Sequence, residues 1–231
     1  MEAIVLAGGL GTRLAGKLQG VPKPMAPVAG RPFLQILLNQ LQLAGCARVV
    51  LSVGHLHQVI QSHFGADWRG MRLDYAVENA PLGTGGAIRA ALAQAAEEQV
   101  LVLNGDTYLQ ADYAAMMRFH AGEGAPMTMA VTDLADIGRY GGVLFDGNRI
   151  TGFEEKGGSG PGWINAGAYV LHRDIQWPPG LAEKFSFETD FLAPQIRRLN
   201  PAAYKVEGFF LDIGVPEDLE RAQTALADFA A

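Results

Sequence analysis

An α/β fold on a doubly wound, mostly parallel sheet is predicted by three features of the sequence. Short continuous apolar runs recur through the first half, segments of helical period separate them, and each run ends on glycine or a small polar residue. Such runs are strands buried on both faces, and their alternation with helices makes the sheet parallel. The first is Ala3-Ile4-Val5-Leu6-Ala7, closed by Gly8-Gly9. Pro32 opens a helix with Phe33, Ile36, Leu37, Gln40 and Leu41 at helical spacing, and Gly45 ends it. Arg48 to Val53 is the second strand, followed by a helix that reaches Phe64 and stops at Gly65. Leu73 to Val77 is the third strand. Thr84 reads as the N-cap of an alanine-rich helix running to about Glu98. Gln99 to Leu103 is the fourth strand, and it ends on Asn104-Gly105-Asp106.

After Gly124 strands dominate: Met127 to Thr132, Gly142 to Phe145, Ile150 to Glu154 and Ile164 to Leu171. Asp146-Gly147-Asn148 is a hairpin turn signal between two of them. A helix over Phe187 to Leu199 and a strand from Tyr204 to Phe210 follow, and Pro216-Glu217-Asp218 opens the last helix with acids in its first turn. No linker and no internal repeat interrupts the chain, so residues 1–231 are expected to form one domain with a smaller β-rich part in 125–231.

With 49% hydrophobic residues in 231, the chain can bury a large core. Eighteen Lys and Arg against twenty-four Asp and Glu give a net charge of −6, which argues against nucleic acid as the partner. A single nucleotide stays open, because a few focused cations and backbone amides can hold one. One cysteine, Cys46, excludes an internal disulfide and a thiolate zinc cluster. No apolar run approaches membrane-spanning length and the N-terminal run lacks a basic flank, so a cytoplasmic protein is expected.

Four constellations carry chemistry. In the first, Leu6-Ala7-Gly8-Gly9-Leu10-Gly11-Thr12-Arg13-Leu14 leaves a buried strand and Pro22-Lys23-Pro24 follows. Glycines let backbone amides approach a phosphate, while Arg13 and Lys23 add a planar fork and a point charge. Gly11-Thr12-Arg13 is not the Gly-Lys-Ser/Thr of a Walker loop, and Leu14 stands where a dinucleotide fingerprint needs glycine. In the second, Asp106 and Asp212 each follow an apolar strand. One such acid is an ordinary turn residue, but two at one rim can hold Mg²⁺ beside substrate phosphates.

The third is Glu78 to Ile88, where Pro81, Gly83, Thr84, Gly85 and Gly86 form a turn open to a flat nucleobase and Glu78 can accept from its N–H edge. The glycines cost helix stability with no packing return evident in the sequence. The fourth places polar or glycine positions at strand ends: Tyr140-Gly141-Gly142, Glu154-Glu155-Lys156 and Asn165-Ala166-Gly167. Glu155 is a candidate for sugar hydroxyls and Lys156 for a sugar's phosphate, although such a run is as often a solvated face. His55 and His57, two apart, cannot share a helix face as metal ligands.

Together these segments resemble the sugar-1-phosphate nucleotidylyltransferase family over essentially the whole chain. GGLGTRL, a seven-residue gap and PKP match its signature; NGD and LDIG match its two metal-acid motifs, and FEEK its sugar-phosphate motif. Gly16 and Leu18 depart from the proline and threonine often found between the first two. The resemblance implies a Rossmann-like nucleotidyltransferase fold, with residues 1–124 binding the nucleotide and 125–231 the sugar phosphate, and a stand-alone transferase.

It further implies Arg13, Lys23 and Asp106 as catalytic residues and Mg²⁺ on Asp106 and Asp212. Leu6, Ala7, Gly8, Gly9, Gly11, Thr12, Arg13, Lys23, Glu78, Pro81, Gly83 and Thr84 would bind the nucleotide, and Asn104, Gly141, Glu155, Lys156 and Asn165 the acceptor. Within the family, PLGTGGAI, FSFETDFL and FFLDIGVPEDLERAQ most resemble the branch acting on D-glycero-α-D-manno-heptose 1-phosphate with GTP. The branch transferring uridylyl groups to N-acetylmuramate 1-phosphate also carries an acid at the Glu78 position and stays open. So do a catalytically silent nucleotide-sugar sensor, a metal-dependent glycosyltransferase and a homo-oligomeric state.

Overall fold

The computed structural model describes residues 1–9, 11, 14–18 and 20–229. The chain runs β1 (Glu2–Leu6), a one-turn α1 (Ala15–Leu18), the short β2 (Pro27–Val28) and β3 (Arg31–Pro32), then α2 (Phe33–Leu43) and β4 (Arg48–Val53). Next come α3 (His57–Phe64), β5 (Asp67–Trp68), β6 (Met71–Val77), α4 (Gly83–Leu92), β7 (Gln99–Asn104), β8 (Thr107–Leu109) and α5 (Tyr113–Glu123). The second half adds β9 (Met127–Leu134), β10 (Val143–Asp146), β11 (Arg149–Phe153) and β12 (Gly162–His172). A π-helical segment (Phe187–Leu192) leads into α6 (Ala193–Leu199), and β13 (Ala202–Val206), β14 (Phe210–Asp212) and α7 (Pro216–Ala225) complete the series. Among the described residues no helix is long and apolar enough to cross a membrane.

Ten strands form one sheet in the order β10-β11-β13-β9-β12-β7-β1-β4-β6-β5. Seven point the same way, and β5, β11 and β12 run against them. The predicted doubly wound architecture is present. Successive side chains of β1 divide between two cores: Ala3 and Val5 pack with α2, α3, α5 and α7, while Ile4 packs with α4, the π-helical segment and α6. Six apolar side chains of α2 (Phe33, Leu34, Ile36, Leu37, Leu38 and Leu41) are at most 1% exposed, each stabilising the fold by about 1.5–3 kcal/mol.

Four local expectations need correction. Thr84 is not an N-cap: α4 starts at Gly83 behind Leu82 with no side-chain cap. Nor does α4 reach Glu98. The Glu2 carboxylate accepts from the Ala96 and Glu97 amides at 2.8 Å each, turning the chain back after Leu92. The Phe187–Leu199 helix is π-helical in its first six residues. The strand expected over Tyr204–Phe210 is two, because Ala202–Val206 pairs with β9 while Phe210–Asp212 leaves the main sheet to pair with β8. Helix α5 has no counterpart in the sequence reading, although Asp112 caps it by accepting from Ala115 N at 2.8 Å and Gly124 ends it at φ +61°.

Candidate active site

A cleft of about 290 Å³ opens beyond the carboxyl ends of β1 and β7, where a doubly wound sheet binds its ligands. Leu6, Gly8, Gly9 and Lys23 line one side; Glu78, Pro81, Gly83 and Thr84 line another; Asn104 and Asp106 form the floor. Ala7 is buried behind it, its amide donating to Ser52 O at 2.7 Å. Gly11 lies beneath Lys23, too close for a side chain to fit without displacing it. Thr12 and Arg13 fall outside the described residues.

Lys23 enters the cleft from a short 3₁₀ turn and pairs with Asp106, Nζ to Oδ2 at 2.5 Å. The lysine side chain is 12% exposed and the aspartate 37%, so the pair sits at the cleft surface. The β8–β14 ladder sets Asp212 opposite Thr107, the residue after Asp106, and Ile213 N donates to Asp106 O at 2.9 Å. Burial raises the Asp212 carboxyl pKa and the Asp106 charge raises it further, while Lys23 and the Gly214 amide, donating at 2.6 Å, oppose them. The two strand-end acids therefore meet at one rim.

Glu78 is fixed at both oxygens: Oε1 accepts from Ser52 Oγ at 3.1 Å and Oε2 from Leu82 N at 3.0 Å. Each oxygen keeps a lone-pair direction for a donor on a base. A second cavity, of about 500 Å³, adjoins at Gly8, Glu78 and Pro81 and extends along Gly54 to Gln58. The glycines after Thr84 serve a different purpose from the one expected. A Cβ on Gly85 would stand 2.1 Å from the Phe185 ring, and one on Gly86 would stand 2.5 Å from Glu183 O. They let α4 dock against 183–187, which is the packing return the sequence did not reveal.

Thr84 makes the link explicit. Its hydroxyl accepts from Phe187 N at 2.9 Å and donates to Glu188 Oε2 at 3.1 Å. Glu188 Oε1 accepts from Tyr169 OH at 3.1 Å, and that hydroxyl accepts from Asn165 Nδ2 at 2.7 Å. Burial and the neighbouring Glu188 charge push the Tyr169 hydroxyl pKa well up, so it stays a neutral donor. One polar chain thus runs from Thr84 to Asn165. The sequence reading missed Glu188 and Tyr169; the detectable signal was an acid set between Phe185, Phe187 and Phe191, all core residues.

The other acceptor candidates are differently placed. Gly141, at φ +80°, lies against the backbone of Glu154, Glu155 and Lys156. Glu155 and Lys156 are exposed, with no hydrogen bond or ion pair to another described residue. Gly167 adopts φ +72° where β12 crosses the end of β7, and a Cβ there would stand 2.8 Å from Asn104 Nδ2.

A glycine-lined cleft at strand ends, one lysine and two adjacent acids define a protein that handles nucleotide phosphates. The chain belongs to the nucleotidyl transferase family, whose model matches residues 2–228, and it is an enzyme of that class. It is 39% identical over 229 residues to a D-glycero-alpha-D-manno-heptose 1-phosphate guanylyltransferase of Aneurinibacillus thermoaerophilus, covering 99% of this chain and 100% of the relative. A protein of that description from Campylobacter jejuni is 39% identical over 219 residues, 94% of this chain and 96% of its own. The crystal structure of HddC from Yersinia pseudotuberculosis complexed with GMP-PN superposes with a TM-score of 0.83 at 34% identity, covering 97% of this chain and 99% of that one.

Proposed function

We propose that this chain transfers GMP from GTP to D-glycero-α-D-manno-heptose 1-phosphate, releasing pyrophosphate, as a cytoplasmic single-domain enzyme. What carries the proposal is the union of near-full-length similarity to two such guanylyltransferases with a cleft holding Lys23, Asp106 and Asp212 together. In the reaction an oxygen of the sugar phosphate attacks the α-phosphorus of GTP in line. The α–β bridging bond breaks and its electron pair leaves with pyrophosphate. No covalent enzyme intermediate is required, so the protein's task is positioning and charge neutralisation.

Lys23, released from Asp106, would neutralise the α-phosphate, and Arg13 the leaving pyrophosphate. Glu78, fixed in place by Ser52 and Leu82, would accept the N1–H and exocyclic amine of guanine. Lys156 would receive the acceptor's phosphate, with Glu155, Gly141, Asn165 and Asn104 shaping the sugar pocket. The donor set suits Mg²⁺: two carboxylates meet, each raising the cost of the other's charge, and both are hard oxygen ligands. When bound there, Mg²⁺ supplies charge neutralisation for the phosphates. Asp106 and Asp212 would hold it, and Gly214 N keeps the Asp212 carboxylate oriented.

The test is pyrophosphate release from GTP, UTP, CTP and dTTP against a panel of sugar 1-phosphates, with Mg²⁺ titrated. GTP with the manno-configured heptose 1-phosphate is expected to have the highest kcat/KM. A preference for UTP with N-acetylmuramate 1-phosphate would replace this assignment with the uridylyl alternative.

A further inference from the structure

The segment 136–141 holds two neighbours at once. On one side it grips the polypeptide that follows Lys156: Gly157 N donates to Gly138 O at 2.9 Å, and Ile137 N donates to Gly160 O at 3.1 Å. On the other side two consecutive residues reach the segment bearing Asp212. Arg139 Nη1 donates to Asp218 Oδ2 at 2.6 Å, and the Tyr140 ring stands edge-on to Phe210 of β14, centroids 5.5 Å apart. The Arg139 guanidinium also lies 5.3 Å over the Tyr140 ring, so both contacts are made by one stacked unit.

Asp218 is 7% exposed in the first turn of α7, and its carboxylate is directed to Arg139, 79 residues away, and to Arg221 at 3.5 Å. Breaking such a pair by removing one partner leaves a nearly buried charge uncompensated. Arg139 and Asp212 also feel each other's charge, which places the guanidinium beside the cleft rim.

We propose that Arg139, anchored by Asp218, is a positioning residue that registers the acceptor-binding segments Tyr140–Gly141 and Glu155–Lys156 against the strand carrying Asp212. This rests on the reading that those segments bind the sugar 1-phosphate. Through Tyr140 and Gly141 on one side and the Gly138–Gly157 bond on the other, the ion pair is the physical connection between the Asp212 rim and the loop after Lys156. Lys23 and Glu78 are held by other partners, so the nucleotide side is independent of it.

The experiment compares wild type with Arg139→Gln, Arg139→Lys and Asp218→Asn. Steady-state pyrophosphate release gives KM for each substrate and kcat, and amide hydrogen exchange is followed over 137–160. Arg139→Gln and Asp218→Asn are expected to raise KM for the sugar 1-phosphate on the order of tenfold, since loss of register is what misplaces a reacting group. KM for GTP and kcat should stay within about twofold, a split that general destabilisation does not produce. Arg139→Lys keeps the charge and should recover most of the loss. Exchange at Gly157 and Tyr140 should quicken in the Gln and Asn variants. Equal changes in both KM values, or unchanged kinetics and exchange, would overturn the proposal. If wild type turns over no sugar 1-phosphate, the functional reading fails instead. The registration itself is then decided by exchange alone, faster in Arg139→Gln supporting it and unchanged refuting it.

Discussion

On the nucleotide side of the cleft the chemical groups are already held. Lys23 is paired with Asp106, Glu78 is bonded at both oxygens, and Thr84 is tied to Phe187 and Glu188. On the acceptor side Glu155 and Lys156 stand exposed on a glycine-bordered segment, partnered by no other described residue. The nucleotide side is thus preorganised, so little order remains to be created when its ligand binds. The acceptor loop must be ordered by its ligand, which places that cost on the second substrate. Mutations on the two sides should therefore differ in kind as well as size.

The largest effect is expected at Lys23. Lys23→Ala should lower kcat by about 10²–10³, the usual cost of losing one electrostatic stabiliser of a transition state. The thermal melt should show a folded protein, because the Asp106 carboxylate left behind is more than a third exposed. Near-wild-type turnover would break the comparison at its strongest point. Next comes Glu78→Gln, which replaces a fixed anion by a neutral amide. Preference for GTP over UTP should fall by about ten- to a hundredfold, the worth of one hydrogen bond to a charged group. Unchanged discrimination would remove Glu78 from base recognition and leave it as the pin between Ser52 and Leu82.

Lys156→Ala sharpens the contrast from the other side. KM for the sugar 1-phosphate should rise about tenfold, the scale of one lost charged contact. The melting temperature should not move, since the side chain is exposed. A shift in KM for GTP instead would put Lys156 on the wrong substrate.

The smallest effect concerns the scaffold. Glu2, buried under the nucleotide half, keeps its charge through Arg48 and two backbone amides. His120, buried under the second half with Nδ1 2.8 Å from Thr128 Oγ1, has its pKa lowered by burial first and by His172 second. An imidazole whose folded pKa lies below its unfolded value takes up more protons when unfolded. Stability is then complete above the ordinary histidine pKa of about 6.5 and declines as pH falls through it towards the folded value. Melting curves from pH 8 to pH 5 should show this decline, and His120→Gln should flatten it. An unaltered slope would reassign the pH dependence to other groups.

Local order could be read from the sequence wherever one strand or helix decided it. Arg48–Val53 is found residue for residue, because a buried parallel strand is a continuous apolar run. The Asp106–Asp212 rim was likewise legible, since strand ends converge in this architecture. Contacts between distant segments were hidden. Nothing in Gly85 or Gly86 announces Phe185, which lies 100 and 99 positions further on. Glu188 looks like an ordinary first-turn acid until Tyr169 and Thr84 arrive beside it. Helix α5 escaped because it buries only Tyr113, Met116 and His120, too thin a stripe to stand out between its caps.

The crossing of β12 and β7 has a mechanical consequence. From Ala168↔Leu103 to His172↔Gln99 the two strands are paired in unbroken register, and β12 continues into β9 on its far side. Gly167 brings the backbone up against Asn104 just beyond the ladder, leaving no room for a spacer between the substrate sides. Rotating one side on the other would shear a continuous ladder, so the molecule has no hinge of the kind that lets two lobes clamp. Enclosure of the reacting groups falls to segments outside the ladder, above all 154–160. Their ordering, rather than any rigid-body swing, sets how fast the cleft can shut and reopen in each turnover.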